Sequence, residues 1–245
     1  MILALLSDVH ANIEALQACL KHAHERQATR FAFLGDLVGY GADPSAVVAM
    51  VMRYAAEGAL AVKGNHDQAV DQGAPYMNAM VRESIAWAQD RLSPEQKAFL
   101  AALPLCSREA RVCCVHASAE APERWRYVDS PAAALRSLRA SEAIFTFSGH
   151  VHQQQLFAEV EERAVGYRPI SGRTVAVAGH RRWLALVGSV GQPRDGNPAA
   201  GYAIFDDERE RITFYRVPYD HAAAARKIRE SGLSPALAQR IEKGI

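Results

Sequence analysis

The sequence contains no uninterrupted apolar run approaching the ~20 residues that a membrane-spanning helix requires, and its opening Met1–Leu6 run meets Ser7 and Asp8 too early for a secretory signal. Net charge is nearly absent as well: 28 Lys plus Arg stand against 27 Asp plus Glu, leaving +1 with the nine histidines neutral. That balance argues against a protein that holds nucleic acid through a broad basic face, because phosphate contacts dominate such affinity. Cysteine is scarce. Cys19, Cys106, Cys113 and Cys114 show no repeated C-x-x-C spacing, and an adjacent pair suits neither a structural zinc site nor a disulfide framework, so free buried thiols are expected. No low-complexity segment or linker divides the chain. What remains is an ordinary globular composition, 49% hydrophobic and 22% charged, and the expectation is a soluble, cytoplasmic protein forming one domain over residues 1–245.

Five short apolar runs each end in polar or metal-capable residues. Ile2 to Leu6 leads into Ser7-Asp8-Val9-His10, Phe31 to Leu34 into Gly35-Asp36, and Leu60 to Val62 into Gly64-Asn65-His66-Asp67. Val112 to Val115 ends at His116, and Ala143 to Phe147 leads into Ser148-Gly149-His150-Val151-His152. Helix-period patterns follow the first two, from Ile13 and from Pro44, which is the order a mainly parallel sheet produces, with chemistry at the carboxyl ends of its strands. Helices are expected at about 75–103, with a fresh start at Ser93-Pro94-Glu95, and at about 219–243. Beyond residue 154 the pattern changes to short strands separated by turns, and this half is expected to form a second sheet.

The histidines carry the chemical signal. His10, His66, His116, His150 and His152 each sit at one of these strand ends, close to an Asp, an Asn or another His. In an extended segment residues i and i+2 share a side, so Asp8 with His10, and His150 with His152, would each offer two ligands to one site. Carboxylate, imidazole and amide oxygen make a mixed set that suits Mn, Fe, Zn, Ni or Co rather than calcium, with enough donors for two ions.

Taken in order, D-V-H at Asp8–His10, G-D-L-V-G-Y-G at Gly35–Gly41, G-N-H-D at Gly64–Asp67, the lone His116, G-H-V-H at Gly149–His152 and G-S-V-G-Q-P-R-D-G at Gly188–Gly196 resemble the calcineurin-like metallophosphoesterases, most closely their small bacterial members. The resemblance implies an α/β fold of four layers, two mixed β-sheets packed face to face with flanking helices. It implies one divalent metal on Asp8, His10, Asp36 and His152, a second on Asp36, Asn65, His116 and His150, and manganese as the activating ion. It implies that His66 protonates or steadies the leaving alkoxide, for which Asp67 is a candidate orienting partner. Tyr40 and Arg194 are candidate substrate contacts. The chain departs from small bacterial relatives in reading His116-Ala117-Ser118-Ala119 where they commonly have H-G-S-P, a change that falls on the loops edging the cleft rather than on the ligands.

The expected activity is hydrolysis of a phosphomonoester or phosphodiester by hydroxide held on two metals. The expected partner is a small phosphorylated molecule or nucleotide, with nucleic acid disfavoured, no membrane contact and a homo-oligomer allowed. The competing readings are a binding or regulatory protein that keeps the fold without turnover, and a nuclease or protein phosphatase of the same fold. Two ions would supply +4 against about −2 from the two aspartates, so a nearly neutral polypeptide can still attract a phosphate.

Overall fold

The run Ile2–Leu6 forms strand β1, and its alternation decides where it lies. Leu3 and Leu5 point to one buried face, Ala4 and Leu6 to the other. The computed structural model describes residues 1–75 and 77–245. β1 pairs in parallel with β2 (Arg30–Phe33), which pairs in parallel with β3 (Leu60–Ala61). On its other side β1 is antiparallel to β11 (Ala200–Asp206), followed by β12 (Arg211–Val217) and β9 (Thr174–Ala176), giving a six-stranded sheet in the order β3-β2-β1-β11-β12-β9.

The second sheet also has six strands. Its order is β4 (Cys106–Glu109), β5 (Val112–Val115), β6 (Phe145–Ser148), β10 (Trp183–Val187), β7 (Gln154–Val160) and β8 (Arg163–Tyr167). β5, β6 and β10 run parallel, and both edges of the sheet are antiparallel. The sheets face each other across Leu3, Leu5, Leu34, Phe205 and Phe214 on one side and Cys114, Phe145, Phe147, Leu156 and Val187 on the other. Phe205 sits between Phe145 and Phe147, with ring centroids 4.6 and 5.1 Å away.

The expected division of the sheets by halves of the chain is therefore corrected. Each sheet draws strands from both halves of the chain: β1, β2 and β3 join β9, β11 and β12 in the first, and β4 and β5 join β6, β7, β8 and β10 in the second. Strands such as β1 and β5 are buried on both faces, so hydrophobic pattern alone cannot assign them to a sheet. Between β3 and β4 the chain passes through three helices, α3 (Asn65–Gln72), α4 (Ala79–Gln89) and α5 (Pro94–Ala102), and re-enters in the other sheet.

Helices close the sandwich on both sides. α1 (Ile13–Glu25), α2 (Pro44–Ala56), α7 (His221–Glu230) and α8 (Pro235–Lys243) cover the first sheet with α4 and α5, and α6 (Pro131–Ser141) lays Leu138 against Phe157 and Leu184 of the second. Their starts are chemically marked: the Asn12 side chain accepts from Ala15 N–H to cap α1, Pro44 opens α2, and Ser93 and Gln96 form a reciprocal capping box on α5. Among the described residues, no helix is long and apolar enough to cross a membrane.

Candidate metal centre

Five segments end at one place, three from the first sheet or its margin and two from the second. Asp8 and His10 follow β1, Asp36 follows β2 and Asn65 opens α3 just past β3. His116 follows β5, and His150 and His152 follow β6. These turns are not extended: Asp8, His10, Asp36, His150 and His152 all have positive φ, between 48 and 66°. Left-handed backbone in non-glycine residues is costly and concentrates at functional sites. It also changes the pairing expected from alternation. His150 and His152 do not serve one group. His152 joins Asp8 and His10, while His150 joins Asp36 and His116.

The two adjacent groups are buried and close. In the first, His10 Nε2 and His152 Nε2 stand 3.1 Å apart, with His152 Nε2 3.2 Å from Asp8 Oδ1. In the second, His116 Nε2 lies 3.1 Å from His150 Nδ1, 3.2 Å from Asn65 Oδ1 and 3.3 Å from Asp36 Oδ2. Asp36 Oδ2 stands between the groups, since it is also 3.8 Å from His10 Nε2.

Backbone hydrogen bonds hold this arrangement. Asp8 N–H donates to Gly35 O and His10 N–H to Asp36 O, continuing the β1–β2 pairing past the strands. His150 N–H donates to both Asp8 carboxylate oxygens, tying the end of one sheet to the end of the other. Gly149 permits this approach, because a Cβ there would collide with Ser7 Oγ and Asp8 Oδ2. The segment Gly188–Gln192 supports Asp8 from behind: Ser189 Oγ and Gly191 N–H both donate to Asp8 O at 2.9 Å.

The sequence model described as the calcineurin-like phosphoesterase superfamily domain matches residues 1–210. The chain belongs to this superfamily. An uncharacterized protein of Methanocaldococcus jannaschii is 34% identical over 248 residues, covering 99% of this chain and 98% of that protein. A metallophosphoesterase crystal structure from Sphaerobacter thermophilus is also 34% identical, covers 100% of this chain and 99% of that one, and superposes with a TM-score of 0.91. A hypothetical protein of Pyrococcus horikoshii, 18% identical with a TM-score of 0.81 over 100% of this chain and 98% of its own, shares the fold. In this superfamily the two adjacent ligand groups constitute a dinuclear metal-dependent phosphoesterase centre, and the chain is a metal-dependent hydrolase.

The donor chemistry fits two cations. Three imidazoles have their Nδ1 against a carbonyl: His10 on Val38 O at 3.2 Å, His116 on Leu34 O at 2.7 Å and His152 on Gln192 O at 2.5 Å. A carbonyl only accepts, so each Nδ1 carries a proton and Nε2 is the atom turned toward the neighbouring ligands, free to offer a lone pair once a cation takes the place of any second proton. Two such lone pairs 3.1 Å apart repel unless a positive charge lies between them. The electrostatics agree. Burial pushes the Asp8 and Asp36 carboxyls up, but the imidazoles around them prevail and hold both below the usual range. Burial pulls His116 down, yet Asp36 and Asp8 raise it to about 9, whereas burial and the charge of His116 push His150 to about 3. The site thus favours positive charge at its centre and cannot spread it as protons over adjacent rings.

His66 and Asp67 lie in the first turn of α3, not in a strand end as the sequence pattern suggested. His66 Nε2 is 3.9 Å from Asp36 Oδ2 and its ring packs against both His10 and Tyr40, lining the cleft beside the ligands. Burial lowers its pKa. Asp67 does not orient it. Both Asp67 oxygens are taken by backbone, one by Leu37 N–H at 2.8 Å and the other by Gly64 N–H at 2.9 Å, so this carboxylate fastens the Asp36 loop to the start of α3. His66 Nδ1 is left buried without a partner among the described residues.

Tyr40 and Arg194 line the same cleft, of about 240 Å³. Tyr40 is buried, its ring 4.5 Å from His10 and 4.7 Å from His66. Arg194 Nη2 donates to Gln192 Oε1 at 3.0 Å and reaches the Tyr40 hydroxyl at 3.4 Å. It makes no ion pair among the described residues, so its charge faces the cleft uncompensated. The rest of the lining is Met77, Asn78, Val81 and Tyr127, none of them named as a site residue from the sequence. They belong to no motif, and only convergence of the helical excursion and the loop after β5 brings them here.

Proposed function

We propose that the protein hydrolyses a small phosphorylated molecule, a phosphomonoester or phosphodiester, using two divalent ions of which manganese is the activating one. The observation that carries this reading is the convergence of fixed Nε2 lone pairs and two buried carboxylates into adjacent groups at the floor of a cleft. Asp8, His10, Asp36 and His152 would hold one ion, and Asp36, Asn65, His116 and His150 the other, a mixed carboxylate, imidazole and amide set suited to manganese and later divalent metals. When bound, such a pair of ions supplies an activated water and neutralises charge on phosphoryl oxygens.

The chain's own groups do the rest. Arg194 draws the phosphate toward the metals and fixes its orientation. His66, whose lowered pKa leaves it neutral beforehand, gains a proton as the anionic substrate brings negative charge beside the ring, and its Nε2 hands that proton to the departing oxygen. Tyr40 holds the ring in place. A cleft of about 240 Å³, below the roughly 300–1,000 Å³ of sites for drug-sized ligands, favours a small substrate over a peptide chain.

The test is metal analysis of purified protein followed by manganese-supplemented assays on para-nitrophenyl phosphate and bis-para-nitrophenyl phosphate, each repeated with His66→Ala. Two ions per chain and turnover are expected, with kcat reduced about 10²- to 10⁴-fold in the variant at unchanged metal content. Two bound ions without turnover would leave a binding protein of this fold, and undiminished turnover in His66→Ala would remove His66 from its role.

A further inference from the structure

One large aromatic at the metal centre has a face to spare. Tyr127 is 53% exposed, yet one side of its ring lies flat on His150, centroids 4.2 Å apart and planes 22° from parallel. His150 is the imidazole whose Nδ1 meets His116 at the second group of ligands, so the free face of Tyr127 lies one ring beyond a ligand of that group. Tyr40 cannot play this part, because it is buried and its ring is spent on His10 and His66.

The loop bearing Tyr127 is built to hold it still. Ser118 N–H donates to Arg126 O at 3.1 Å, and Glu120 takes the guanidinium groups of Arg126 and Arg136 at 3.2 and 3.1 Å. On the other side Val128 is buried against α6 and its neighbours. Trp125, two residues earlier, meets His116 edge-on at 5.9 Å, so each imidazole of the second group carries an aromatic from this one loop. The loop begins where the chain reads Ala117-Ser118-Ala119 after His116. Met77 and Val81 add carbon to the same cleft, and among the described residues Arg194 is its one Lys or Arg. A fixed ring with one face exposed suits a flat aromatic group, which can stack on it over its whole area.

Building on the phosphoesterase reading, we infer that Tyr127 is the specificity platform of this site, stacking a planar aromatic group, a nucleobase or an aryl ring, borne by the phosphoester substrate. Tyr127→Ala, Tyr127→Phe and the wild type, all manganese-loaded, would be compared on adenosine monophosphate, para-nitrophenyl phosphate and ribose phosphate. Tyr127→Ala should raise KM about tenfold for an aromatic ester with kcat little changed, leave ribose phosphate within about twofold, and be rescued by Tyr127→Phe. Loss confined to adenosine monophosphate identifies a nucleobase, loss confined to para-nitrophenyl phosphate an aryl ring, and loss on both a general aromatic seat. Equal loss on all three esters, or none, overturns the inference, because a merely structural role would disturb every substrate alike. Calorimetric binding to metal-loaded His66→Ala protein gives a second reading independent of turnover: adenosine monophosphate should bind more tightly than ribose phosphate, and adding Tyr127→Ala should erase the difference. No turnover of any ester would contradict the phosphoesterase reading alone, whereas equal affinity of the two ligands would contradict the platform.

Discussion

At Asp67 the buried carboxylate has both oxygens committed to backbone N–H groups, and burial beside Asp36 raises its pKa to about 7 in spite of them. Asp67→Asn keeps the shape but offers one acceptor where two are needed and turns an amide against an N–H donor. We expect it to cost about 1–3 kcal/mol in denaturant unfolding. A loss of turnover at full stability would instead return Asp67 to a role beside His66. Cys106 shows a different kind of perturbation. Its Sγ lies 3.4 Å from Cys113 Sγ, and the hydrogen bond from that thiol, against partial burial, lowers Cys106 to about 7. Iodoacetamide should therefore label Cys106 first, with the rate falling as pH drops below about 7 and the thiolate is lost, while the buried Cys19 and Cys114, whose thiols burial pushes up, stay unlabelled. Mass spectrometry of the labelled protein checks this, and labelling spread over all four cysteines would contradict it. At this scale the sequence displayed the residue types but not their partners. Nothing in G-N-H-D says that the aspartate would turn to backbone, and nothing around Cys106, expected to be buried like the rest, says that it would stay partly exposed.

The strand-end loops set the positions of the ligands, and they do so through conformations that alternation cannot foresee. Asp8, His10, Asp36, His150 and His152 take left-handed backbone, which splits the G-H-V-H pair between two groups. Gly149 is the hinge of that arrangement because His150 N–H must reach the Asp8 carboxylate. Gly149→Ala should displace Asp8, reducing bound metal below two per chain and lowering the melting temperature. Metal analysis with a thermal melt tests this, and normal content with a normal melt would show that the close approach is dispensable. The elements themselves were legible to different degrees. β1, β2, β5 and β6 are mostly apolar and lead into polar residues, so their sequence marks both strand and site. β4 and β8 are not, since they form the two edges of the second sheet and carry exposed polar residues. Hydrophobic pattern reports burial, and edge strands have little of it.

For the whole molecule, the centre lies where two sheets meet, with Asp8, Asp36 and Asn65 supplied from the margin of one and His116, His150 and His152 from the other. Composition had already placed the chain near zero net charge, and the structure shows how that neutrality is compatible with a phosphate substrate: positive charge is wanted at one buried point rather than over a face. The allocation of strands to sheets was not legible, because it depends on where the α3–α5 excursion returns the chain. The convergence of the strand-end aspartates and histidines was, because strand ends keep their residue types whichever sheet they join. The central claim is that two ions held by those ligands make this chain a phosphoesterase. It is tested most directly by titrating metal-stripped protein with manganese while following hydrolysis of bis-para-nitrophenyl phosphate. Activity should appear with added metal and level off at two equivalents per chain. Activity that saturates at one equivalent, or never appears, would contradict the account.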